Sequence, residues 1–140
     1  MRFVDTNVLL YAVSTDPREA AKARAARALL ESTDLALSVQ VLQEFYVQAT
    51  RTTRRHRLSH EQASTLIEAW LRFPVQETTT PVMLAAFATE QRTRISYWDA
   101  AIIEGARALG CAVVLSEDLA AGQDYGGVRV ENPFRLDSRL

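Results

Sequence analysis

Four carboxylates, Asp5, Glu44, Asp99 and Asp118, stand where the chain could gather them into one site. Asp5 follows the short strand-like run Arg2-Phe3-Val4, apolar at Phe3 and Val4, and precedes Thr6, Asn7 and the apolar run 8–13, which reads as a strand turning straight into a helix. Asp118 follows the apolar run 112–115 by way of Ser116 and Glu117. Both acids therefore come at the C-terminal ends of strand-like runs, the edge at which open α/β sheets bind ligands. Taken alone, this stretch favours Asp5 or Thr6 as a helix cap over Asp5 as a catalytic acid. Asp99 falls in the first turn of a helix whose residues three and four further on are Ile102 and Ile103. A carboxylate beside such a face needs a hydrogen-bond partner, a helix N-terminus or a metal. Glu44 precedes the core-type Phe45 but has Gln40 and Gln48 as helical neighbours, so an inward acid and a solvent stripe fit it equally.

Carboxylates gathered without basic partners repel one another and push some of their pKa values up. A divalent cation is the usual remedy. Hard oxygen ligands without His or Cys suit Mg²⁺ or Mn²⁺ rather than Zn²⁺. His56 and His60 are four apart, but they straddle an expected helix start and do not make a zinc site. A hard cation among carboxylates points to phosphodiester hydrolysis, in which the metal generates hydroxide and neutralises charge on the phosphate. An Asp-nucleophile phosphotransferase is excluded. The acid it needs two residues after Asp5 is Asn7, and no lysine follows a late strand, Lys22 being the sole lysine.

The elements that must position these residues read as alternating short strands and helices. Strands are expected at 2–4, 35–38, 75–78, 112–115 and 128–130. Helices are expected at 8–13, 19–31, 39–51, 61–73, 82–92 and 98–109. Asp16-Pro17, Ser38, Ser59 with Gln62, and Ser96 supply start signals, and Gly110 a stop. This alternation implies a parallel sheet covered on both faces. The chain has 140 residues, 48% hydrophobic and 24% charged, with a formal net charge of −1. That fits a single globular domain over 1–140 and leaves a nucleic-acid partner to local charge clusters. The lone Cys111 lies in an apolar run and reads as buried packing. A single cysteine, with no signal or membrane-length segment, fits a cytoplasmic protein that has no membrane partner.

Phe3-Val4-Asp5-Thr6-Asn7, Glu44 in a helix after a short strand, Tyr97-Trp98-Asp99-Ala100 and Leu115-Ser116-Glu117-Asp118-Leu119 together resemble the PIN-domain ribonucleases, most of all the VapC-type toxins of toxin–antitoxin pairs. The likeness spans nearly the whole chain in order. It implies a three-layer α/β/α fold with a parallel sheet of about four to five strands, and metal-dependent cleavage of RNA. By position it implies that Asp5 and Asp99 ligate Mg²⁺ or Mn²⁺ directly. Glu44 and Asp118 would act through water or on a second metal. Asn7 and Ser116 would support the acids, and Thr6 would cap the first helix. Glu117 matches no role and reads as a surface residue. Asp16, Asp34, Asp124, Glu90 and Glu104 read as solvated or capping. An antitoxin partner and a homodimer are implied in the same way, the former in a groove of apolar helix residues such as Leu9, Leu10 and Tyr46. The same fold acting on structured DNA, or a catalytically silent binding module, are the alternatives.

Arg51, Arg54, Arg55 and Arg57, with His56, form the only dense basic cluster and fit either phosphate contacts or a solvated connection. Arg94, with Arg92, is the second RNA-binding candidate. Tyr97 and Trp98 could stack a base. Trp98 shares a helical face with Ile102 and Gly105, so core packing is expected of it, with Tyr97 the freer ring.

Overall fold

The computed structural model describes residues 1–135. Five strands, β1 (Arg2–Val4), β2 (Leu35–Ser38), β3 (Val75–Gln76), β4 (Val113–Leu115) and β5 (Arg129–Glu131), form one parallel sheet in the order β3-β2-β1-β4-β5. Six helices connect them: α1 (Thr6–Ala12), α2 (Ala20–Leu29), α3 (Val39–Thr50), α4 (His60–Trp70), α5 (Thr80–Thr93) and α6 (Tyr97–Ala108). The end of the single-domain span expected to reach residue 140 lies outside the described residues.

The strand order dictates the layers. From β1 the chain steps outward to β2 and again to β3, then returns to β4 on the other side of β1. Right-handed crossovers running in opposite directions deposit their helices on opposite faces. Helices α1 to α4 therefore cover one face and α5 and α6 the other, the three-layer α/β/α arrangement expected. The direction reverses between β1 and β4, which makes that gap the topological switch point of the sheet. Val4 pairs with Leu115 in register, so the next residues, Asp5 and Ser116, leave the sheet side by side. The Asp5 N–H still donates to the Leu115 carbonyl at 3.0 Å.

The expected start signals are in place. Asp16 caps the 3₁₀ turn Pro17–Glu19, Ser38 caps α3, Ser59 and Gln62 form a capping box on α4, and Ser96 caps α6. Gly110 takes the left-handed conformation after α6, at φ 78°. Phe3, Val4, Leu35, Leu37, Phe45, Ile103, Val114 and Val130 fill the core, and Cys111 is buried. No described helix is long and apolar enough to cross a membrane.

Two expectations fail for the same reason, burial on more than one side. Leu9 is fully buried rather than groove-facing, because α1 lies between α2 and α3; Leu10 and Tyr46 are half-buried against the core. Glu104 is buried rather than solvated, because α6 is covered by the sheet on one side and α5 on the other. Its carboxylate accepts from Thr89 Oγ1 at 2.8 Å and from Arg107 Nε at 2.9 Å.

Candidate active site

Asp5 is both cap and buried acid. Its side chain N-caps α1, Oδ1 accepting the Thr6 N–H at 2.7 Å, while Oδ2 accepts the Ser116 hydroxyl at 2.7 Å. The carboxylate is 6% exposed. Burial pushes its pKa up to about 6. Hydrogen bonds from Ser116 and Thr6 act against the rise, and the charges of Glu44 and Asp118 add to it. Thr6 is therefore the first residue of α1 rather than its cap. A cap must precede the helix, and Asp5 holds that place. Thr6 Oγ1 instead donates to Glu44 Oε2 at 2.7 Å.

Ser116 is fully buried and serves four groups. It donates to Asp5 and accepts the backbone N–H groups of Asp118 and Leu119 and the amide of Asn7, at 3.1–3.2 Å. The Asn7 amide nitrogen stands 3.3 Å from both Asp5 Oδ2 and Asp118 Oδ2, a neutral donor between two carboxylates. Asn7 Oδ1 accepts the Glu117 N–H at 3.1 Å, which ties the loop after β4 to the start of α1.

Glu44 is half-buried rather than on a free solvent stripe. Thr6 holds one of its oxygens and Gln40 the other, the latter at 2.9 Å. Asp99 lies in the first turn of α6, its N–H on Ser96 Oγ at 3.1 Å. Burial raises its pKa, Ser96 counters, and the charges of Asp118 and Glu44 raise it further. Asp118 is exposed at the rim. The charges of Glu44 and Asp118 thus reach both Asp5 and Asp99 across the switch point. The charges acting on Asp5 and Asp99 are those of neighbouring carboxylates, with no cationic group among them. Among the described residues, no three acidic, His or Cys side chains stand close enough to share one metal ion.

A model of the PIN domain family matches residues 2–121. The chain belongs to the PIN-domain family. Solved structures resemble this PIN domain over most of its length. A toxin–antitoxin complex from Klebsiella pneumoniae is 19% identical with a TM-score of 0.70, over 97% of this chain and 100% of that one. DNA-bound VapBC from Salmonella typhimurium is 19% identical with a TM-score of 0.66, over 94% and 97%. Mycobacterium tuberculosis VapC20, described as a toxin cleaving the sarcin–ricin loop, is 19% identical with a TM-score of 0.65, over 84% and 90%. At such identities the likeness is one of fold. No curated protein matches the chain in sequence.

The other candidate residues of this PIN domain fall at several distances from the acids. Arg54, Arg55 and His56 line a cleft of about 500 Å³ with residues 13–19, at the far end of α1 from Asp5. Helix α1 has seven residues, which separates the two ends by about 10 Å. That cleft also contains Asp16 and Glu19, so tertiary packing supplies acids that the basic run lacks in sequence. Arg51 and Arg57 are exposed. Arg57 flanks Tyr46 and His60, and the Tyr46 hydroxyl is 2.9 Å from His60 Nδ1. Arg94 caps the end of α5 in the left-handed conformation, its side chain exposed two residues before Ser96.

Four side chains depart from their expected roles. Trp98 is 64% exposed, whereas Tyr97 packs against Ala86, Ala100 and Ala101. Glu117 is half-buried rather than a free surface residue. It accepts from Tyr11 Oη at 2.6 Å and from Lys22 Nζ at 2.5 Å. Gln40, whose polarity suggested a solvent stripe, bridges Glu44 and the Trp98 carbonyl. No sequence signal marks the pairing of Glu117 with Lys22, which lie 95 residues apart.

Proposed function

We propose that this PIN domain is a Mg²⁺- or Mn²⁺-dependent endoribonuclease, the toxin of a toxin–antitoxin pair held in check by a cognate antitoxin. The observation that supports the reading is the hydrogen-bond network that joins Asp5 to Asp118 through Asn7 and Ser116, and α1 to Glu44 through Thr6, with the charges of Glu44 and Asp118 acting on both Asp5 and Asp99 and no cationic group among them. The donor set is all hard oxygen, and Mg²⁺ takes only one or two carboxylates directly while keeping waters, so three acids need not crowd one ion. Asp5 and Asp99 would hold the metal directly, and Glu44 and Asp118 through water or at a second ion. When bound, the metal supplies a hydroxide nucleophile at neutral pH and neutralises charge on the scissile phosphate.

The remaining chemistry belongs to the chain. Ser116 and the Thr6 N–H orient Asp5 and oppose its protonation. Asn7 keeps Asp5 and Asp118 apart while bonding both. Thr6 and Gln40 fix the Glu44 carboxylate. Arg54 and Arg55, and Arg94 beside α6, would hold backbone phosphates away from the cut, with Arg51 and Arg57 extending the basic surface. The complexes of similar fold from Klebsiella pneumoniae and Salmonella typhimurium support an antitoxin partner. A homodimer belongs to the same reading.

The test is cleavage of total RNA by the purified chain. Cleavage should stop in EDTA, return with Mn²⁺ or Mg²⁺, and be absent from Asp5→Asn under every condition. Cleavage that resists EDTA or survives Asp5→Asn would overturn the reading.

A further inference from the structure

Trp98 is the most exposed large apolar side chain among the described residues. It sits in the first turn of α6, one residue before Asp99. The Tyr97 ring stands edge-on to it, centroids 4.9 Å apart at 79°. Tyr97 is itself lodged against Ala86, Ala100 and Ala101, with the Phe87 ring 5.4 Å from it, so the indole rests against a packed ring while most of its surface stays open to solvent. The Trp98 carbonyl accepts from Gln40 Nε2 at 3.2 Å, and the same nitrogen is 2.9 Å from Glu44 Oε1. One amide therefore couples the aromatic residue to the acid cluster.

Beside Trp98 lies a cleft of about 80 Å³ whose polar lining includes Gln40, Gln43, Gln76 and Thr78. It is far smaller than the pockets of about 300 Å³ and more that enclose whole small-molecule ligands. No Lys or Arg lines it, and Glu77 is its one charged residue, so it does not suit a phosphate. Glutamine amides carry both donors and acceptors, as base edges do. A flat apolar ring beside neutral amides is the arrangement by which proteins take an unstacked base from a single strand.

We propose that Trp98 is a stacking platform for the nucleobase flanking the cleaved bond, and that the amides of its cleft meet one edge of that base. The inference rests on the ribonuclease reading above and adds to it the positioning of substrate. It restricts the substrate to RNA with an unpaired base next to the cut, because a base held in a duplex cannot reach the ring. Met83, Leu84 and Phe87 of α5 extend the exposed apolar surface nearby, so a second copy of the chain is the competing occupant.

The test combines binding and steady-state kinetics on the full chain. Trp70 is buried and Trp98 exposed, so quenching of intrinsic fluorescence by oligouridylate or oligoadenylate in EDTA reports on Trp98. Wild type should be quenched. With Mn²⁺ and a single-stranded RNA substrate, Trp98→Ala should raise KM about tenfold and change kcat by less than about twofold, the loss expected for one base stack. Trp98→Phe should recover most of the KM. If wild type cleaves RNA and Trp98→Ala does so with unchanged KM, the platform is wrong while the ribonuclease reading stands. The platform is equally wrong if Trp98→Ala only dissociates a dimer in sedimentation. If wild type neither binds nor cleaves RNA, both readings fall together.

Discussion

Asp5→Asn should stabilise the metal-free protein while abolishing its activity. The Asp5 carboxyl is raised from 3.8 to about 6 by burial, with Glu44 and Asp118 adding to the effect. A group whose folded pKa lies above its unfolded value holds its proton more tightly in the folded state. Its contribution to stability is complete below pH 3.8 and is lost as pH rises through 6. At about 1.4 kcal/mol for each pKa unit, the ionised carboxylate weakens the metal-free fold by about 3 kcal/mol at pH 7.5. Asparagine removes that charge but cannot accept on both oxygens. With its carbonyl on the Thr6 N–H, its amide faces Ser116 Oγ, which accepts, and the Asn7 amide, which does not. Allowing about 1 kcal/mol for that mismatch leaves a net gain of about 2 kcal/mol. For a chain of 140 residues this corresponds to a rise in Tm of about 6 °C. The assay is thermal unfolding in EDTA from pH 4 to 8, wild type beside Asp5→Asn. Wild type should lose stability between pH 4 and 7 and regain it when Mn²⁺ is added at pH 7.5, by binding to the folded state. The variant should show the shallower pH dependence and little response to metal. An Asp5→Asn protein less stable than wild type in EDTA at pH 7.5 would refute the account of Asp5 as a carboxylate held against its own burial.

Further predictions concern the supports. Ser116→Ala removes a donor from Asp5 and an acceptor from two backbone N–H groups, and should cost about 2 kcal/mol in urea unfolding. Because Ser116 holds the Asp5 pKa down, its loss should also move the acidic limb of the cleavage–pH profile to higher pH; a shift to lower pH would contradict this. Arg107→Ala strands the buried Glu104 with only Thr89, and also loses bonds to the Gly126 and Tyr125 carbonyls. Arg107 is 36% exposed, so the expected loss is about 2 kcal/mol, below the 3 to 5 of a fully buried pair, as read from the urea midpoint. Replacing Arg54 and Arg55 together with Ala should weaken RNA binding alike for all sequences and reduce the slope of log K against log salt by roughly 1 to 2. An unchanged slope would make that loop a solvated connection.

Most of the architecture was legible in the chain because it is written in local signals. Runs such as Phe3-Val4 and Val113-Val114-Leu115 are short and apolar because their strands are covered on both faces. Ser38, Ser59 and Ser96 mark helix starts because a free N–H needs an acceptor wherever the helix lies. The β3 strand was the weakest of these, shrinking to Val75–Gln76 at the sheet edge, where only β2 pairs with it.

The sequence by itself determined the alternation of strands and helices, the capping residues and the order of the four acids. Tertiary structure decided which side chains meet. Asp5 takes the capping role expected of Thr6 because the β1 backbone stays paired to Leu115 up to Asp5, so the helix begins one residue later. Glu104 and Trp98 exchange their expected environments because helical periodicity ranks faces but does not say how far a helix is covered. The middle of α6 is packed between the sheet and α5, whereas its first turn leaves the Trp98 ring open to solvent. Glu117 finds Lys22, and Gln40 finds Trp98, across 95 and 58 residues of chain. Such pairings are set by the strand order that brings β1 beside both β2 and β4. No pattern local to any one segment carries that information.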